Sequence, residues 1–188
     1  VQAAGGTAID ASTKDLRRVR LTLLAVALTA YVLDQVTKQL AVTFLDPDRP
    51  VRLIGDLLVL RLVFNPGAAF SLGEDFTVVI SVFALAALVF VLFWVVPRVG
   101  DLRWATAIGL MLCGIAGNLT DRLLRPPGPF RGHVVDFLQL PYWAIFNVAD
   151  MCLVFGAALL AWFTIVRPVP LGGRLAVADE PASAQDDA

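Results

Sequence analysis

Four apolar runs of about the length that a helix needs to cross a bilayer divide this chain. The cleanest, Phe76 to Val96, contains no charged residue. Ala144 to Val166 is interrupted only by Asn147 and Asp150, and Trp104 to Leu119 ends in the string GNLTDR. The first run, Leu21 to Leu45, contains Asp34, Gln35, Lys38 and Gln39. It is still a span, because Leu21 to Leu33 is too short alone and the apolar pattern resumes from Leu40 to Leu45. The pattern therefore predicts a mainly α-helical integral membrane protein with four transmembrane helices. Between the first two spans lies a loop at 46–75. There Val51–Ile54 and Leu57–Phe64 are rich in Val, Leu and Ile, and Gly55-Asp56 separates them as a turn does. A small β-sheet on the outer membrane surface is expected, with a reentrant helix as the alternative.

Composition agrees with this class. The chain has 188 residues, 58% hydrophobic and 16% charged, and a mean hydropathy of +0.76, against about half apolar and a quarter charged in soluble domains. A net charge of −1 gives no broad basic surface, so nucleic acid is not an expected partner. Lys14, Arg17, Arg18 and Arg20 precede the first span, Arg98 and Arg103 occupy the second loop, and Arg167 and Arg174 follow the fourth span. This bias places both termini in the cytoplasm and the first and third loops outside. Trp94, Trp104, Trp143 and Trp162 fall near span ends, as an interfacial belt requires. No small-x-small cleavage site follows Leu33, so the first span reads as a retained anchor. Three parts are expected: a cytoplasmic extension at 1–19, a membrane domain at 20–166 and a disordered cytoplasmic tail at 167–188.

Chemistry enters through the few polar groups inside the apolar pattern. With a rise of about 1.5 Å per residue, Asn118 lies roughly 21 Å along the third span, Asp34 roughly 20 Å along the first, and Asp150 roughly 9 Å below the outer end of the fourth. Asp121 and Arg122 sit at the mouth of the third span, and Asn147 shares a face with Asp150. All fall in the outer half. Asp34 and Lys38, four apart, can neutralise each other, and Gly114 and Gly117 suit close helix packing. Asp150 has no cation beside it in sequence, and a carboxylate at membrane depth is a functional-site hypothesis by default. Asp136, in a loop before Phe137, supplies a second carboxylate, and two that can meet form an acid–base pair. His133 is the only histidine, Cys113 and Cys152 lie inside apolar runs as small hydrophobes rather than a disulfide, and HExxH is absent. Neither a metal nor a cofactor is expected.

Five strings together resemble the lipoprotein signal peptidase (signal peptidase II) family of bacterial membrane aspartyl proteases. They are LDQVTK from Leu33, NPGAAF from Asn65, GNLTDR from Gly117, VVDF from Val134 and FNVAD from Phe146. They occur in the family's order and the resemblance covers about residues 20 to 166. It implies that Asp136 and Asp150 are the catalytic pair. It implies that Asn65, Gly67, Asn118, Asp121, Arg122 and Asn147 shape or hold the site, with Asp34 and Lys38 supporting it. The implied partners are diacylglyceryl-modified prolipoproteins, cleaved before the modified cysteine, and membrane lipid. The expected location is the bacterial cytoplasmic membrane with the active site at its outer face, and the chain is expected to act as a monomer. The sheet and Asn65–Phe70 are expected to cradle the extended peptide by strand pairing. The alternative function is a small proton-coupled transporter or channel subunit, since intramembrane acids also serve proton relays.

Overall fold

The computed structural model describes residues 5–67, 74–166 and 170–172. In chain order the elements are α1 (Gly5–Phe44), β1 (Val51–Ile54), β2 (Leu58–Asn65), α2 (Glu74–Phe90), α3 (Leu102–Leu124), β3 (Val134–Gln139) and α4 (Val148–Ala161). Among the described residues four helical segments are long and apolar enough to cross a membrane: Asp15–Phe44, Thr77–Arg98, Leu102–Leu124 and Val148–Val166. The second and fourth include wider π-type turns at Val91–Val95 and Trp162–Val166. The four-span expectation therefore holds, and the reentrant helix does not form, because β1 and β2 occupy that stretch.

Helix α3 is the axis of the bundle. Its buried face carries Ala105, Ala107, Gly109, Cys113, Gly114 and Gly117, small residues that admit neighbouring backbones where no hydrophobic driving force acts between helices. A Cβ at Gly117 would lie 2.6 Å from Asp34 Oδ2 of α1 and 3.0 Å from Ala149 Cβ of α4. The absence of a side chain there lets three helices meet. Nearer the start of α3, Ala105, Ile108 and Leu112 pack with Val19, Leu23 and Val99. The outward faces stay apolar, with Phe83 and Phe93 each 77% exposed, as a lipid-facing surface requires.

Four boundaries differ from the sequence expectation. Helix α1 begins well before Leu21, because hydropathy marks only the apolar part of a helix whose first turns are polar. Arg17, Arg18 and Arg20 thus lie on α1 itself. Helix α3 runs on to Leu124, so Asp121 and Arg122 belong to its last turns rather than to a mouth beyond it. Helix α4 starts at Val148 and not Ala144, which places Asp150 in its first turn instead of roughly 9 Å along it. Finally, Leu171, inside the stretch at 167–188 expected to be disordered, is held by the bundle. Its carbonyl accepts the Gly100 N–H at 2.9 Å, and its side chain packs on the α1–α3 core. Residues 1–4, the end of the NPGAAF string (Ala68 to Phe70), and the tail beyond Gly172 lie outside the described residues.

The sheet has a third strand that the pattern did not mark. Its order is β1-β2-β3, antiparallel throughout. Asp136 therefore lies on β3, not in a loop. Val135 and Phe137, on one face of β3, pack with Ala41 of α1 and Leu62 of β2. Asp136 points to the opposite face, as alternation demands.

Candidate active site

The β2–β3 register positions the first pair of groups. Val63 is opposite Asp136 and Asn65 is opposite Val134, after an irregularity between Leu60 and Val63. Asn65 is thus the diagonal same-face neighbour of Asp136, within reach of a polar side chain. Its Nδ2 donates to Asp136 Oδ2 at 2.9 Å. Its Oδ1 accepts the Gly67 N–H at 2.9 Å, closing an Asx turn. Gly67 has φ +101°, and a Cβ there would lie 2.9 Å from Ile80 Cδ1, so both backbone and space require glycine.

After β3 the chain doubles back. Leu138 and Phe146 exchange backbone hydrogen bonds, each 2.9 Å, around a turn in which Tyr142 takes φ +60°. This return delivers Asn147 beside Asp136 and starts α4. Asn147 is the N-cap: its Oδ1 accepts the Asp150 N–H at 3.0 Å, and Asp150 Oδ2 accepts the Asn147 N–H at 3.1 Å. That reciprocal capping box satisfies two helix-end donors. The remaining amide of Asn147 donates to Asp136 Oδ1 at 2.6 Å and lies 3.2 Å from Asn118 Oδ1. From α3, Asn118 Nδ2 donates to Asp150 Oδ1 at 2.8 Å. One residue, Asn147, holds both carboxylates.

Below them is a buried ionic cluster. Lys38, fully buried, places Nζ 3.0 Å from Asp34 Oδ2, 2.9 Å from Asp121 Oδ2 and 3.0 Å from Asn118 Oδ1. Asp34 Oδ1 accepts the Ala149 N–H at 2.8 Å, and Asp121 Oδ2 accepts the Val135 N–H at 3.2 Å. Arg125 Nε adds a second cation, 2.5 Å from Asp121 Oδ1. Arg122 extends from α3 within electrostatic reach of Asp150 and Asp136. Its Nη1 donates to Asn118 O at 3.4 Å, while its Nε is buried without a hydrogen-bond partner among the described residues.

Asp136 is 2% exposed, and its carboxyl titrates at about 6. Burial is the main cause. The hydrogen bonds from Asn65 and Asn147 oppose the rise and the neighbouring charge of Asp150 adds to it. Among the described residues no group of three or more His, Cys, Asp and Glu is arranged to hold a metal ion.

The structure thus brings together all ten residues singled out in the sequence: Asp136, Asp150, Asn65, Gly67, Asn118, Asp121, Arg122, Asn147, Asp34 and Lys38. Sequence reasoning missed others. Gln35 Nε2 bonds Asp34 Oδ2 at 3.0 Å and Gly117 O at 3.2 Å. Thr77 and Ser81 of α2 are buried and bonded to the loops beside the site. In a run noted only for carrying no charge, two hydroxyls four residues apart were the available signal.

The chain is similar to proteins of one family. The family model described as Signal peptidase (SPase) II matches residues 26–166. A lipoprotein signal peptidase of Mycobacterium avium (strain 104) is 49% identical over 149 residues, covering 79% of this chain and 81% of that protein. One from Streptomyces griseus subsp. griseus is 46% identical over 158 residues, covering 83% and 80%. A bacterial membrane enzyme solved by the in meso method at 1.9 Å superposes with a TM-score of 0.64 at 28% identity, covering 77% of this chain and 92% of that one. The transporter alternative has no support among these relatives. The chain belongs to the signal peptidase II family, multi-pass bacterial membrane proteases of the aspartic type that remove signal peptides from prolipoproteins.

Proposed function

We propose that Asp136 and Asp150 are the catalytic pair of this peptidase. The observation that carries the proposal is Asn147, whose side chain and backbone together hold one oxygen of each carboxylate. Two close carboxylates share one proton and titrate as a unit. Asp136, raised to about 6, is the member that keeps it. Asp150, seated by Asn118 and the Asn147 N–H, takes a proton from water as the oxygen attacks the scissile carbonyl. Asp136 donates its proton to the carbonyl oxygen. Collapse of the tetrahedral intermediate returns that proton to Asp136, while Asp150 passes its own to the leaving amine. The Arg122 guanidinium, with Nε unpartnered among the described residues, is suited to hold a carbonyl of the bound peptide.

We infer that the peptide does not pair with β3, whose edges are both occupied among the described residues. Strand β2 occupies one edge of β3, and Asp121 and Phe146 take the N–H groups of Val135 and Phe137 on the other. The free edge, β1, is two strands away, about 10 Å at the usual spacing. The substrate therefore crosses the face that carries Asp136 and Asn65.

We further infer that the site opens at the outer face, that both termini are cytoplasmic, and that cleavage precedes a diacylglyceryl-modified cysteine. The basic flanks of the spans support the orientation. Cysteines placed at Asp48 and Gly128 are expected to react with a membrane-impermeant reagent on intact cells, and one at Asp101 is not. The reverse pattern overturns the orientation. The lipid requirement is argued from position. Asp150 lies in the first turn of a membrane-spanning helix, so a peptide must enter the membrane interface to reach it. Each buried CH₂ of an acyl chain offsets that by about 0.8 kcal/mol. A diacylglyceryl-cysteine peptide should exceed, by orders of magnitude in kcat/KM, a non-acylated peptide tethered to the same bilayer through a remote lipid. Equal cleavage would show that lipid only delivers the substrate.

A further inference from the structure

None of the described side chains of α2, from Thr77 on, is charged, yet two of them are among the most buried polar residues described: Thr77 is 1% exposed and Ser81 0%. They lie one turn apart on one face. The Thr77 hydroxyl donates to the carbonyl of Pro66, the residue between Asn65 and Gly67. Ser81 Oγ lies 2.8 Å from the carbonyl of Phe130 and 2.7 Å from that of Thr77. Phe130 has φ +64°, a conformation that a bulky side chain adopts only when its surroundings impose it. Two residues later, Gly132 donates to Arg122 O at 3.0 Å and leads into β3. Because Asn65 and Val134 are register partners, the exit of β2 and the entry of β3 lie side by side. One face of α2 grips both.

We propose that Thr77 and Ser81 are positioning residues for the peptidase reaction, acting on Asp136 through Asn65 and through the start of β3. The proposal rests on the assignment of Asp136 to the catalytic pair. An apolar membrane helix has no packing need for a hydroxyl that donates to a distant carbonyl. The two carbonyls held here belong to the segments that aim Asn65 and Asp136 at each other. The Asn65 bond favours the charged form of Asp136, so loosening it must raise the pH at which the pair loses its proton.

The test compares wild type, Thr77→Val, Thr77→Ser, Ser81→Ala and Asp136→Asn on one lipidated peptide, with kcat, KM and the pH profile of kcat/KM measured. Thr77→Val, nearly isosteric, is expected to lower kcat about tenfold or more, as a misaimed catalytic group does, with KM changed less than about twofold. Its alkaline limb should move up by about half a pH unit. Thr77→Ser, which restores the donor, should return both quantities toward wild type. If Thr77→Val does not fold, Ser81→Ala carries the same readouts from the β3 side. Wild-type kcat and limb in both apolar variants overturn the proposal. A fall in kcat with an unmoved limb and no rescue by serine also overturns it, as that marks packing damage alone. Turnover by Asp136→Asn would instead overturn the catalytic assignment, whatever the α2 variants do.

Discussion

Asp136→Asn and Asp150→Asn are each expected to reduce turnover by about 10⁴-fold or more, since the residual amide can neither accept the proton of water nor supply one to the carbonyl. The two losses should not add in the double variant, because the pair acts as one unit. Asn at 136 faces amide donors at both positions, Asn65 at 2.9 Å and Asn147 at 2.6 Å. One donor must then meet another, at a cost of about 1–3 kcal/mol. Each variant therefore needs a folding measurement in detergent beside its assay. Substantial turnover by either, with wild-type contamination excluded, removes that residue from the pair. The same chemistry sets the pH profile. With Asp136 at about 6 in the free enzyme, the pair keeps its proton below that value and loses it above. Hence kcat/KM, which reports the free enzyme, should fall as pH rises through about 6. A bound lipopeptide excludes water and raises that value further, so the limb in kcat should lie at higher pH. A kcat/KM that rises through pH 6 would assign Asp136 the opposite role.

The spans were legible because lipid imposes one simple rule, an apolar run of fixed length, and α2 and α4 obey it. What hydropathy could not show was where helices continue into polar surroundings. The start of α1 and the end of α3 were therefore read too short. Strand β1 and most of β2 were legible because a local turn at Gly55-Asp56 joins them. Strand β3 was not: its partner lies some seventy residues earlier, and VVDFLQ beside an apolar run carries no local strand signature. That omission left Asp136 in a loop and hid the register that aims Asn65 at it. The signal that was available and unused is Asn147-x-x-Asp150, an N-cap followed at the third position by an acid. It fixes the start of α4 and moves Asp150 to the mouth of the span. The polar residues themselves stood out against an apolar background. Their pairing did not, because it is made across α1, α3, α4 and the sheet.

Lys38 is where those elements meet, and Lys38→Met is expected to be the most destabilising single change in the protein. Each of its three ammonium hydrogens has an acceptor, on Asp34, Asp121 and Asn118. Each acceptor continues to the catalytic pair. Asp34 holds the N–H of Ala149, the residue before Asp150. Asp121 holds the N–H of Val135, the residue before Asp136. Asn118 bonds Asp150 itself. Met fills a similar volume but takes from Asp34 the cation it is paired with and leaves Asp121 with Arg125. Removing one partner from a buried ionic cluster costs about 3–5 kcal/mol. Arg at this position is no substitute, since a planar fork cannot address three acceptors grouped around a point. The expected result is a large fall in the thermal unfolding midpoint in detergent, together with loss of turnover. The charge argument makes a second demand. Lys38→Met combined with Asp34→Asn restores the balance, because Asp121 keeps Arg125 and the new amide can still accept the Ala149 N–H. Stability should then recover in part, while turnover stays low because Asn118 has lost its bond to Lys38 and keeps only that to Asn147 on Oδ1. A double variant no more stable than Lys38→Met would mean that lost packing rather than an uncompensated charge sets the cost. Wild-type stability and turnover in Lys38→Met would show that the catalytic pair is held in place without the cluster.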